Sequence, residues 1–115
     1  MAQQQKIALH FHQTSAGAEP VREWLKSLSA EERKAVGLDL MRVQWRWPVG
    51  MPLCRAMGDG LWEVRTDLPK GKTARVLFCF HDQRLVALHG FIKKSQKTPD
   101  ADLKLAQKRK KDVER

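Results

Sequence analysis

Hydrophobic and polar residues alternate strictly at the start of the chain, in residues 6–12. Ile7, Leu9 and Phe11 fall on one side of an extended segment, and alanine and histidine residues fall on the other. This alternation is typical of a strand with one buried face. We therefore predict a strand over residues 6–12.

The apolar spacing then changes to three and four residues, which predicts two helices. Pro20 suits the first turn of a helix, and the apolar positions after it follow a helical period: Val21, Trp24, Leu25 and Leu28. Ser29 and Glu32 form a capping-box pattern that starts a second helix. Its apolar stripe is Val36, Leu40, Val43 and Trp47. Pro48 should end this helix, and the joint near Ser29 predicts an antiparallel helical hairpin.

Residues 48–60 are rich in Gly and Pro and are predicted to form a loop. Three apolar segments follow, at residues 61–66, 73–81 and 84–94. The turns between them are short, which favours antiparallel pairing as a meander. The segment 73–81 is apolar on both faces, so it should be the central strand.

The sequence ends in a predicted helix that Thr98, Pro99 and Asp100 are expected to cap. Its last residues, about 108–115, and the first residues, 1–5, are expected to fray. The predicted fold is α+β, in the order β-α-α-β-β-β-α, with a twisted antiparallel sheet packed on the helical hairpin. Residues 1–115 should form one domain.

Composition adds a preference for polyanionic partners. The formal net charge is +9, with 22 Lys and Arg against 13 Asp and Glu, which favours RNA, DNA or a ribosome. The two cysteines lack the spacing of a zinc site, and no metal or cofactor is expected. No leader-like or membrane-spanning apolar run occurs, so a cytoplasmic location without membrane contact is expected.

Two arginines interrupt the apolar strands and admit two interpretations. Arg65 could pair with Glu63 or Asp67, and Arg75 could snorkel at a strand end. Alternatively, neighbouring strands bring both onto one phosphate-binding patch, for which the planar guanidinium fork is suited.

The stretch GFIKKSQKTP, residues 90–99, places Lys93, Lys94 and Lys97 at the edge of the predicted core. Lys93 and Lys94 point to opposite faces of a continuing strand, so only one of them can face such a patch. A charged strand end that discourages edge pairing is the alternative interpretation.

The histidines and tryptophans indicate a function less specifically than the arginines and lysines do. His81 ends a predicted strand and is a candidate acid or base, whereas His89 fits a packed core position. The tryptophans fit the core by periodicity, although Trp47 and Trp62 could line a groove and stack on a base.

Residues 61–106 resemble the RelE/ParE superfamily of small toxins, and in particular its HigB-like, phage-derived branch. The resemblance rests on W-E-x-R at 62–65, R-V-L-F at 75–78 and G-F-x-K-K-x-x-K-T-P at 90–99. It implies the toxin of a type II toxin–antitoxin system, a messenger-RNA endonuclease that acts at the ribosome. It also implies a neutralising antitoxin, expected to be a HigA-like helix-turn-helix protein.

The implied reaction is metal-independent attack of a 2′-OH on the adjacent phosphate. The expected catalytic residues are Arg65, Arg75, Lys93, Lys94 and His81. The expected RNA-binding residues are Lys97, Lys72, Arg55, Lys108, Arg109, Lys110 and Lys111. A lysine among other cations is expected to have a lowered pKa, so Lys93 or Lys94 could act as base or acid. The chain has no tyrosine, although some relatives use one near the C-terminal end. Either a lysine or histidine replaces it, or the chain is a weak or inactive nuclease.

Two other functions remain open from the sequence. ParE-like members share the fold and inhibit DNA gyrase without cutting RNA. A basic domain that binds nucleic acid without catalysis is the second alternative.

Overall fold

The computed structural model describes residues 6–93 and 98–115 and gives them an α+β fold, as the sequence predicts. The elements in chain order are β1 (Leu9–Phe11), α1 (Pro20–Ser27), α2 (Ala30–Arg46), β2 (Cys54–Gly58), β3 (Leu61–Asp67), β4 (Thr73–His81), β5 (Arg84–Lys93) and α3 (Asp100–Val113). A single 3-10 turn at Pro69–Gly71 joins β3 to β4.

The predicted element order was wrong by one strand, because β2 lies inside the segment expected to be a loop. β2 has five residues and, within the part of the chain that the structure describes, pairs only with β3, with an irregularity in register between Ala56 and Gly58. An edge strand needs only one hydrogen-bonded neighbour, so it tolerates the Gly and Pro content around it. The observed order is therefore β-α-α-β-β-β-β-α.

The sheet is mixed rather than purely antiparallel, which corrects a second expectation. Its strand order is β1-β5-β4-β3-β2. β2 to β5 pair antiparallel, whereas β1 pairs parallel with β5 and covers only Leu9–Phe11 instead of residues 6–12. Parallel neighbours require a long connection between them, and here that connection contains both helices and three strands.

The two helices predicted around Ser29 are confirmed, and both pack on one face of the sheet. The Ser29 side chain accepts from the backbone N–H of Glu32, and the Glu32 carboxylate accepts from the N–H of Ser29. Apolar side chains of α1 and α2 join those of the sheet in one core, which includes Val21, Val36, Leu40, Val43, Val64, Val76 and Phe78.

A tight contact fixes α1 on β5. The Trp24 ring lies over Gly90, where an added Cβ would be 2.4 Å from a Trp24 ring carbon. Only glycine leaves room for this approach of ring to backbone.

β4 is the central strand, and its residues 74–79 are all buried, as the sequence predicts. α3 packs on the opposite face from α1 and α2, over a smaller core that includes Leu61, Leu77, Cys79, Val86, Leu88 and Ala106. α3 stays helical to Val113, so the fraying expected from about residue 108 is not found there. No helix in the described ranges is long and apolar enough to cross a membrane.

Candidate functional site

The sheet surface on the α3 side carries four basic residues on adjacent strands. Arg65 of β3 lies directly opposite Arg75 of β4, and Lys93 of β5 lies opposite Thr73, two positions before Arg75. Arg55 of β2 lies opposite Glu63, two positions before Arg65. Directly paired residues, and residues two apart on a strand, share a face of the sheet. We call Arg55, Arg65, Arg75 and Lys93 the cationic face.

Arg75 forms the buried base of the cationic face, with none of its surface exposed. Its Nε donates to the Thr73 hydroxyl at 3.3 Å, and its Nη1 donates to the Thr98 hydroxyl at 3.2 Å. The same Nη1 is 4.0 Å from a carboxylate oxygen of Glu63, which is also buried. Burial lowers the pKa of Arg75, and the Glu63 carboxylate opposes that effect.

Thr98 joins the two charged partners. Its hydroxyl accepts from Arg75 and donates to Glu63, so it does not cap α3. Pro99 takes the capping position without a side-chain hydrogen bond, which corrects the expectation that Thr98 caps the helix. Snorkelling of Arg75 at a strand end is also wrong, since the side chain is enclosed. In this conformation Arg75 offers no surface to a ligand and instead holds the start of α3 against the sheet.

The other three members of the cationic face reach the surface. Arg55 is exposed, and Arg65 and Lys93 are half-buried. The positive charges of Arg65 and Arg55 both contribute to lowering the Arg75 pKa, which places them within electrostatic range of the buried guanidinium. The cationic face therefore concentrates positive charge around the buried guanidinium of Arg75, which its hydrogen bonds hold in place. Lys94 and Lys97, also predicted for this site, lie outside the described residues.

Two residues predicted for the site lie elsewhere. His81 is six residues from Arg75 along β4, about 20 Å away at roughly 3.3 Å per residue. Lys72 has its ammonium 3.9 Å from a carboxylate oxygen of Glu32, at the start of α2. The structure therefore does not bring His81 or Lys72 together with the cationic face.

Four of the five basic residues of α3 were predicted to bind RNA, and these four have different environments. Arg109 donates to the backbone carbonyl of Leu88 at 2.8 Å, and burial lowers its pKa. Lys110 donates to Glu114 at 2.8 Å and lowers the pKa of that carboxyl. Lys108 and Lys111 are exposed. Of these four, only Lys108 and Lys111 present their charge to solvent without an anchoring contact to another described residue.

A cleft of about 620 Å³ lies between α3 and the segment after β1. His12, Lys108, Arg109, Asp112 and Arg115 are among its lining residues. Burial lowers the pKa of His12 and the Arg109 charge lowers it further, while Asp112 acts in the opposite direction. The imidazole of His12 therefore prefers its neutral form.

A histidine hydrogen-bonded to a carboxylate on the α3 side was not predicted from the sequence. His89 Nε2 lies 2.5 Å from a carboxylate oxygen of Asp102, in the first turn of α3. The His89 ring also stacks on Phe91, with ring centres 5.5 Å apart. The sequence suggested a packed core histidine, because a strand residue gives no signal of a partner 13 positions away. The spacing of His89, Phe91 and Lys93 by two was the available signal that they share a face.

Trp47 and Trp62 do not extend the cationic face. Their ring centres are 5.1 Å apart, and Trp47 also contacts Phe78 and Phe80. This aromatic cluster packs with α1 and α2 on the other side of the sheet. If Trp47 and Trp62 stacked on bases, the RNA would have to contact the opposite side of the sheet as well as the cationic face.

Chemistry based on thiols or a metal cluster has no support within residues 6–93 and 98–115. Burial raises the pKa of Cys54 to about 12 and that of Cys79 to about 11, so both thiols resist ionisation. No group of three or more His, Cys, Asp or Glu residues in the described ranges could hold a metal ion.

Comparison with protein families gives a match over residues 23–111 to the family described as phage derived protein Gp49-like (DUF891). The match covers most of the chain, so the chain belongs to this family, which is associated with RelE-like and other toxin-like proteins. Comparison with curated proteins gives no match.

Proposed function

Proceeding from membership of the Gp49-like family, we propose that this chain is the toxin of a type II toxin–antitoxin system. In this proposal it is a HigB-like member with a RelE-like fold, and it cleaves messenger RNA on the ribosome. The observation that carries the proposal is the cationic face, in which Arg55, Arg65 and Lys93 surround the buried Arg75.

The cationic face suits a phosphodiester whose charge increases during reaction. When a 2′-OH attacks the adjacent phosphate, negative charge builds on the non-bridging oxygens, and fixed cations stabilise it. Arg65 is the best placed to bind two oxygens at once, because it is partly exposed and lies opposite Arg75. Arg75, buried beneath the other three residues, holds the start of α3 on the sheet and adds its positive charge to the field at the phosphate. The need for a 2′-OH makes the activity specific to RNA.

The exposed α3 cations have a weaker role in this proposal. Lys108 and Lys111 attract the ribosome's RNA through charge alone, so their loss should weaken association and reduce its dependence on salt. Cleavage by an already bound protein should not change.

The neutralising partner is proposed to be a HigA-like antitoxin that covers part of this basic chain. α2 offers an apolar anchor, since Leu38, Met41 and Trp45 are 51%, 41% and 46% exposed and lie at positions i, i+3 and i+7. A complex that buries such contacts should persist in salt concentrations that screen ion pairs. Co-purification of the chain with the product of its neighbouring gene at high salt tests this point.

The decisive experiment mixes the purified chain with ribosomes carrying a defined message and maps new 5′ ends by primer extension. Arg65→Ala should lower the cleavage rate roughly a hundred- to a thousand-fold, the usual effect of removing one preorganised charge. Arg22→Ala is the matched control, because Arg22 lies on α1 and pairs with Glu19 on the surface. Intact message with wild-type protein would refute the nuclease, and gyrase-dependent DNA breaks in cells that express the chain would point to ParE-like inhibition instead.

A further inference from the structure

His89 and Asp102 form a polar pair on the same side of the sheet as the cationic face. The side chain of His89 is 16% exposed and that of Asp102 is 25% exposed, so the pair is reachable from solvent but largely shielded. His89 is two positions from Phe91, which lies directly opposite Arg75. With strands about 4.8 Å apart and a rise of about 3.3 Å per residue, the backbones of His89 and Arg65 are separated by about 12 Å. Extended arginine and histidine side chains can approach one phosphodiester from that separation.

The contact with Asp102 determines which nitrogen of the ring is basic. The carboxylate accepts from Nε2–H, so in a neutral imidazole the other nitrogen, Nδ1, carries the free electron pair. No described residue hydrogen-bonds to Nδ1. The Phe91 ring restricts rotation of the imidazole by stacking on it. A carboxylate, an oriented imidazole and an available ring nitrogen are the arrangement that makes histidine an effective general base.

We propose that His89 is the general base of the RNA cleavage reaction and that Asp102 is its positioning residue. This inference rests on the endoribonuclease activity proposed above. It assigns the role that a tyrosine would fill to a histidine, in a chain that has no tyrosine.

The step balances without metal or cofactor. Nδ1 of His89 takes the proton of the 2′-OH as the 2′-oxygen forms a bond to the adjacent phosphorus. The bond from phosphorus to the 5′-oxygen breaks, and that oxygen takes a proton from a general acid or from water. The products are an RNA end with a 2′,3′-cyclic phosphate and an RNA fragment with a 5′-OH, and His89 returns its proton to solvent.

The test measures single-turnover cleavage of ribosome-bound message by the full chain, alongside ribosome binding and thermal melting. His89→Gln keeps a polar side chain of similar length but cannot act as a base at neutral pH. We expect its rate to fall roughly a hundred- to ten-thousand-fold, the range for loss of a general base, with ribosome binding unchanged. Asp102→Asn should lower the rate at least about tenfold, because an amide does not favour the same ring tautomer. A rate for His89→Gln within about threefold of wild type would overturn the proposal.

Chemical rescue separates a base from a structural contact. His89→Ala leaves a space beside Phe91 that free imidazole can enter, and added imidazole should restore cleavage in proportion to its concentration. A histidine that only holds α3 to β5 would give melting defects and no rescue, so absence of rescue below the melting temperature of the variant overturns the assignment. Inactive wild-type protein would instead refute the endoribonuclease itself, and the inference would fall with it.

Discussion

Replacing Arg75 by alanine should destabilise the fold, whereas the same replacement at Arg65 should not. The two residues face each other across β3 and β4, but Arg75 has no exposed surface and Arg65 is half-buried. Removing the Arg75 guanidinium leaves the enclosed Glu63 carboxylate without its cation, 4.0 Å away in the native protein. Loss of one partner of a buried ion pair costs about 3–5 kcal/mol. A solvent-exposed ion pair of an arginine contributes less than about 1 kcal/mol to the free energy of unfolding.

Urea and thermal unfolding of both variants measure this difference. A change of 1 kcal/mol shifts the melting temperature of a small domain by roughly 4 °C or more, so Arg75→Ala should melt at least about 12 °C below wild type. Its loss of cleavage would then report unfolding, whereas loss in Arg65→Ala would report chemistry.

A double variant provides the control for this reasoning. Glu63→Leu combined with Arg75→Met removes both charges, and a buried ion pair replaced by apolar residues of similar size often costs little. The double variant should therefore be more stable than Arg75→Met alone. Equal stability of Arg65→Ala and Arg75→Ala, or a double variant no better than the single one, would refute the claim that the Glu63 charge needs Arg75.

Three further predictions concern the scaffold. Gly90→Ala should lower the free energy of unfolding by about 1–3 kcal/mol, because its methyl group would collide with Trp24, and Trp24→Leu should relieve much of that loss. Burial and the Arg109 charge lower the pKa of His12 in the folded chain, so below about pH 6.5 the unfolded chain binds more protons than the folded one. The free energy of unfolding should therefore decrease as the pH is lowered below about 6.5. Urea titrations at pH 5 and pH 7.5 should show a smaller decrease in His12→Gln. Ser29→Ala should cost about 1 kcal/mol in the same assay, since it removes the capping box of α2, and an unchanged midpoint would contradict this.

The sequence predicted those elements whose signal is local. α1 and α2 followed from apolar spacing and a capping box, and β4 followed from a segment that is apolar on both faces. Such patterns need no knowledge of distant residues. β2 was missed because an edge strand pairs with one neighbour only and can be short and irregular.

The candidate site was predictable only in part, because its contacts join distant segments. The sequence placed Arg65 and Arg75 on facing strands, which the register agrees with. It could not reveal that Thr98 leaves the helix cap to bridge Arg75 and Glu63, a contact over 35 positions. His89 was likewise interpreted as a core residue, because Asp102 reaches it only once α3 has packed on the sheet.

The parallel pairing of β1 has a consequence for the order in which the chain can fold. Leu9 pairs with Leu85, 76 positions later, so β1 leaves the ribosome long before β5, its neighbour in the sheet among the described residues, exists. At a synthesis rate of about 5–20 residues per second, β1 waits roughly 4–15 s for β5. β5 also carries Lys93 and His89, so the sheet edge and the proposed site are completed by the same late event. A nascent chain should therefore have neither the β1–β5 pair nor the complete proposed site until β5 has left the ribosome.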